Sequence, residues 1–195
     1  MKNQLNLLAG LFAFVALSAF TPFSITDGFY RVDTKASTIN WTGSKITGKT
    51  HFGTVNLMEG GLQVAGGKIS GGKFTIDMTS IAVKDLEGDM ATKLEGHLKG
   101  DDFFGVAKFK TANLTIKSVN ENDVKADLTI KGITHEVAFP VSLSMEEGML
   151  VAKADITVDR SKYDVRYGSD SFFDNLGDKA IDNDIKFSVS LKGKS

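Results

Sequence analysis

The sequence predicts an all-β protein whose antiparallel strands close into a barrel with one short helix, on three observations. Residues 124–143 alternate as a β-hairpin does: Val124, Ala126, Leu128 and Ile130 share one face, and Lys125, Asp127, Thr129 and Lys131 the other. Beyond Gly132 the alternation resumes at Val137, Phe139, Val141 and Leu143. A strict period of two marks a strand with one dry face and one wet face. The same pattern recurs along most of the chain, with Gly, Asn or Asp between the runs. No segment between strands has the length and period of an amphipathic helix able to cover a sheet. A sheet whose dry face meets no helices must close on itself or pack against another sheet.

In chain order, the first strand covers Phe29 to Val32 and, after Asp33-Thr34-Lys35-Ala36, Thr38 to Gly43, where Ile39 and Trp41 alternate. A second runs from Thr50 to Met58, and a short third holds Leu62 and Val64. Gly66-Gly67 and Gly71-Gly72 mark turns before Lys73–Ser80, whose Phe74, Ile76 and Met78 share a face. Later strands are read at Ala107–Ser118, Val124–Lys131, Val137–Ser144, Met149–Asp159 and Ile185–Lys192. Eight or nine strands close a barrel wide enough for one small ligand.

Two segments break the rhythm. Leu86, Met90, Leu94 and Leu98 recur at fourfold spacing and predict a short helix, N-capped by Asp89, that plugs one end of the barrel. Asp164–Asp184 is polar and carries Phe172-Phe173, so it reads as a long loop at a barrel mouth. Pro140 cannot donate to a ladder, which predicts a bulge or a seam at that point.

Residues 1–19 are read as a signal peptide and 20–195 as one mature domain. Lys2 precedes an apolar run from Leu5 to Ala19 that ends in small residues, and cleavage after Ser18 or Ala19 fits. The run is shorter than the ~20 residues of a spanning helix, so no stable membrane insertion is expected after its removal. The expected location is periplasmic or secreted. The chain has no cysteine, which excludes a disulfide framework and a lipid-modified N-terminal cysteine. About 175 mature residues suffice for one self-stabilised core. The 23 basic and 24 acidic residues give a net charge of −1, or −2 once Lys2 is lost. They are scattered singly, so a nucleic-acid partner is not expected.

Six segments, in order, resemble the YceI-like family. Tyr30–Trp41 resembles its opening strand, Lys49-Thr50-His51-Phe52-Gly53-Thr54-Val55 the following His-x-Gly strand, and Gly71–Ile81 its x-Ile-Asp-x-x-Ser-Ile strand. His97-Leu98-Lys99-Gly100-Asp101-Asp102-Phe103-Phe104 is similar to the family's His-Leu-x-Ser-x-Asp-Phe-Phe turn. Leu128-Thr129-Ile130-Lys131-Gly132-Ile133-Thr134-His135 and Asp159-Arg160-Ser161-Lys162-Tyr163 resemble two further motifs. The resemblance implies an exported, eight-stranded antiparallel lipocalin-like β-barrel with a short capping helix and a tunnel for long isoprenoid chains, an isoprenoid quinone among them. Where the family commonly has an Arg-Asp pair before the His-Leu, this chain has Leu94-Glu95-Gly96, which removes any headgroup contact made by that arginine. His135 replaces a residue that is often lysine.

The expected ligand-binding set is the apolar stripe Ile39, Trp41, Phe74, Ile76, Met78, Leu128, Ile130, Phe139 and Val141; a solid core made of the same residues is the competing reading. The partner is then a hydrophobic small molecule, and a homodimer is compatible with it. No cofactor is called for. His51, His97 and His135 lie far apart in different elements, without the ligand spacing of a metal site; each is expected to hydrogen-bond locally, His97 near Asp101-Asp102. No nucleophile elbow, paired-carboxylate signature or phosphate loop appears, so no catalytic residue is assigned. The alternatives are a lipid-directed periplasmic enzyme and an interaction module that uses its mouth loops.

Overall fold

The computed structural model describes residues 25–195; the signal-peptide reading of residues 1–19 lies outside them. The strands are β1 (Gly28–Val32), β2 (Thr38–Ser44), β3 (Thr50–Ala65), β4 (Lys68–Val83), β5 (Thr111–Asn120), β6 (Asp123–Ile130), β7 (Ile133–Glu146), β8 (Met149–Asp159) and β9 (Asp184–Lys194), with one helix, α1 (Gly88–Lys99). Every pairing is antiparallel, in the order β1-β3-β2-β9-β8-β7-β6-β5-β4, and β3 pairs β4 to close the ring. β1 and β2 both lie between β3 and β9 and together occupy one strand position. The barrel therefore has eight positions, as predicted.

Register carries the alternation around the wall. Leu128 pairs with Leu114, which pairs with Phe74. Ala154 pairs with both Val141 and Val189, and Val189 with Ile39. Directly paired residues share a face, so one inward set runs through all the strands. The separate second and third strands expected over Thr50–Val64 are one strand, β3, with irregularities at Thr54/Asn56, Leu57/Glu59 and Gln63/Val64. The pattern slips there because a bulge adds a residue without ending the ladder.

The strand expected from Ala107 begins only at Thr111. Gly100–Lys110 instead folds into turns: Gly105, at φ 55°, donates to Gly100 O at 2.7 Å, and Phe109 N donates to Gly105 O at 2.9 Å. Phe103, Phe104 and Val106 are thereby turned into the core.

Helix α1 starts one residue before its expected cap. Glu87 holds the N-cap position without a side-chain bond, and Asp89 falls in the first turn, where a negative charge favours the exposed N–H groups. Leu98 is buried and Leu94 half-buried, while Met90 is exposed. Spacing by four drifts ~40° per step on a 3.6-residue helix, which carries Met90 off the packed face. Glu95 Oε1 accepts from Val83 N at 2.8 Å and ties the helix to the end of β4.

At Pro140 the structure has a seam. β7 pairs with β6 over Ile133–Pro140 and with β8 only over Val141–Glu146. Val141 N donates to Asn122 O at 2.8 Å, on the β6 side, so by alternation the Pro140 nitrogen faces β8. It has no hydrogen to give, and the β7–β8 ladder stops there.

Candidate ligand cavity

All nine residues of the expected stripe line one internal cavity: Ile39 and Trp41 from β2, Phe74, Ile76 and Met78 from β4, Leu128 and Ile130 from β6, Phe139 and Val141 from β7. Strands β3, β5, β8 and β9 contribute Val55 and Leu57, Leu114 and Ile116, Ile156 and Val158, and Phe187 and Val189. The same alternation marked these further residues, but their strands ranked no higher than others by sequence. One end is stoppered by Leu98, Phe103, Phe104 and Arg160. At the opposite end Tyr30, Val32, Val64 and Leu150 are buried in the core.

The space open to the centre of a water-sized sphere is ≈ 190 Å³, and among the described residues no polar atom exposes surface to it. That is more than ten times the ~10–15 Å³ that one water needs. The packing agrees. Ile76, Leu114, Ile116, Val141, Ile156, Phe187 and Val189 face inward yet are only partly buried. Side chains of a solid barrel would cover one another; here they border a void.

Trp41 stands in the wall, and its Nε1 donates to Thr54 O at 3.2 Å. The indole thus satisfies its polar group on the backbone and presents only apolar surface. It is packed tightly from below: a Cβ at Gly53, its register partner, would lie 2.6 Å from Trp41 Cζ2 and collide with Ala82 O.

Arg160 belongs to a motif of the family resemblance and is the mouth residue that the enzyme alternative would use; the structure makes it the fastening of the stoppered end. It is 1% exposed. Its Nε donates to Asp182 O at 3.1 Å, Nη1 to Val165 O at 2.8 Å and Nη2 to Ile181 O at 3.0 Å. Phe103 lies 5.4 Å from Cζ. Burial lowers the guanidinium pKa, partly opposed by the charges of Asp159, Asp170 and Asp182, and an arginine so placed keeps its proton. One planar fork thus holds both ends of the 164–183 loop. Beside it Tyr163, 1% exposed, has a phenol with no hydrogen-bond partner among the described residues. Burial first, then the charge of Asp159, pushes its pKa up to about 12.

The histidines stay apart. His51 Nδ1 lies 2.7 Å from Asp85 Oδ2, and His135 Nε2 is 3.0 Å from Lys162 O. Burial raises the Asp85 pKa, but the Phe52 N–H and His51 outweigh it and hold the carboxyl below its usual range. The hydrogen bond expected for His97 is not made. Asp101 and Asp102 are exposed, and the His97 ring centroid lies 4.1 Å from that of Tyr167 and 5.8 Å from that of Phe103, with Nε2 buried and without a partner among the described residues. Among the described residues, no three His, Cys, Asp or Glu side chains gather where a metal ion would sit. Ser161 Oγ donates to Asp159 Oδ1 at 2.6 Å, a local turn contact.

Fold and cavity together define a closed antiparallel barrel with an apolar interior. The chain belongs to the YceI-like domain family, whose model matches residues 30–193. It is 35% identical over 108 residues to a UPF0312 protein of Staphylococcus aureus strain bovine RF122, an alignment covering 50% of this chain and 60% of that protein. A UPF0312 protein of Staphylococcus aureus strain USA300 is 34% identical over the same length and shares. The chain thus matches about 60% of the length of these relatives. In fold it is similar to BcnA of Burkholderia cenocepacia, with a TM-score of 0.64, 19% identity, and coverage of 83% of this chain and 98% of that one. A polyisoprenoid binding domain from Saccharophagus degradans superposes with a TM-score of 0.64 at 17% identity, covering 85% of this chain and 98% of that domain.

Proposed function

We infer that the protein is an exported binding protein that carries an isoprenoid or another long-chain lipid, isoprenoid quinones included, inside its barrel. One observation carries this reading: inward apolar side chains remain partly uncovered around a dry cavity of ≈ 190 Å³. A chain placing about fifteen methylenes there would gain roughly 12 kcal/mol at ~0.8 kcal/mol each. Ordering and association costs on the order of 4 kcal/mol leave micromolar affinity or better. Membership of the YceI-like family and the fold shared with a polyisoprenoid binding domain point the same way.

Binding without catalysis suits this interior, since an apolar wall offers a substrate neither acid nor base. Carriage in the periplasm or outside the cell goes with the leader read in residues 1–19. Native mass spectrometry of gently purified protein tests the proposal. A co-purifying hydrophobic ligand that leaves on organic extraction and rebinds is expected. Protein that carries nothing and takes up no added isoprenoid would overturn it.

A further inference from the structure

We propose that lipid enters and leaves this barrel sideways, through the seam between β7 and β8, and not through either end. The proposal rests on the binding function inferred above. Two observations place the route: what is packed at the ends and how the wall is held.

At one end Tyr30, Val32, Val64 and Leu150 are buried within the core. At the other, Phe103 and Phe104 sit under a loop that buried Arg160 fastens with three hydrogen bonds. A chain passing there must break that charged network and displace both rings.

The ladder around the wall is interrupted at Pro140. From that residue back to Ile133, β7 pairs with β6 alone; from Asp155 onward, β8 pairs with β9 alone. Continuing the Val141–Ala154 register would oppose Ala138 to Thr157 and Phe139 to Ile156, and neither pair forms. The Pro140 nitrogen, which faces this gap, cannot extend the ladder. The far end of the gap is spanned by His135 Nε2, 3.0 Å from Lys162 O.

Between those limits no ladder pair joins the two sides, and apolar side chains meet across the gap. Val137 and Phe139 of β7 pack in one cluster with Ala154 and Ile156 of β8. Phe139, Ile156 and Val158 also line the cavity, so the space behind the seam is the ligand space itself. Parting apolar side chains here breaks no ladder hydrogen bond, and the surfaces exposed match an incoming hydrocarbon chain.

The chain has no cysteine, so Ala138→Cys/Thr157→Cys can be bridged selectively across the gap with a bis-maleimide containing a cleavable disulfide. Both positions are exposed. Stopped-flow fluorescence with a dansyl-labelled farnesyl probe then measures uptake and release. Bridging is expected to slow both rates at least tenfold with Kd unchanged, and reductive cleavage of the bridge to restore them. Rates unaffected by the bridge would overturn the lateral route while leaving lipid binding intact, and so would rates that stay slow after cleavage. A parent protein that does not bind the probe at all would overturn the binding function and the route with it.

Discussion

Trp41 and Gly53 are register partners on adjacent strands, and the indole lies where a Gly53 side chain would be. The sole tryptophan of the chain therefore keeps its place in the cavity wall because the next strand has no Cβ there. A methyl group at Gly53 would also strike the Ala82 carbonyl oxygen, which belongs to backbone and has little freedom to retreat.

Gly53→Ala should accordingly cost at least the ~1–3 kcal/mol of an overpacked core. For a domain of this size, that lowers Tm by roughly 2–12 °C. Thermal unfolding followed by tryptophan fluorescence measures the loss and, through the folded-state emission, any shift of Trp41. An unchanged Tm would contradict the close approach.

Leu128→Trp separates a hollow barrel from a filled one. Leu128 lines the cavity beside its register partner Leu114, so a larger ring extends into the cavity. Uptake of a fluorescent isoprenoid should be lost while Tm of the lipid-free protein falls by less than about 2 °C. A filled core would instead lose ~1–3 kcal/mol. The lipid-free state is the reference, because bound ligand raises apparent stability by mass action.

Arg160→Lys keeps the charge but cannot serve three carbonyls from one plane. The Val165, Ile181 and Asp182 carbonyls would lose their shared donor, at ~1.5–3 kcal/mol for each charged hydrogen bond not replaced. Limited proteolysis should cut within residues 164–183 at least tenfold faster, with far-UV circular dichroism of the barrel unchanged. Equal cleavage rates would show that the loop is held by other contacts.

Tyr163 makes stability fall at high pH. Its folded pKa of about 12 lies above the ordinary 10.0, so the stability linked to its neutral form is full below pH 10 and is lost as pH rises toward 12. Tyr163→Phe removes both the ionisation and a buried hydroxyl that has no partner among the described residues. The variant should be no less stable than the parent at pH 7 and should lose less stability between pH 10 and 12. Denaturant unfolding at the two pH values tests this.

The inward facing of the nine stripe residues was legible in the sequence because alternation is local: each strand displays its own dry face. Location of the helix and the polar exterior were legible for the same reason. The bulges of β3 were not, since a bulge is defined by the partner strand. The packing of His97 against Tyr167 brings together residues seventy positions apart, and nothing near His97 announces it.

Sequence by itself determined that this protein is a barrel of alternating strands, and which side chains face inward. Tertiary structure alone decided that the inside is hollow. Cavity volume depends on how eight strand positions set the distance across the barrel and on what stoppers its ends, and no single strand encodes either. The seam at Pro140 shows both levels at once. A proline in a strand forbids one hydrogen bond wherever it stands, but only the closed wall makes the missing bond fall between β7 and β8, beside the cavity.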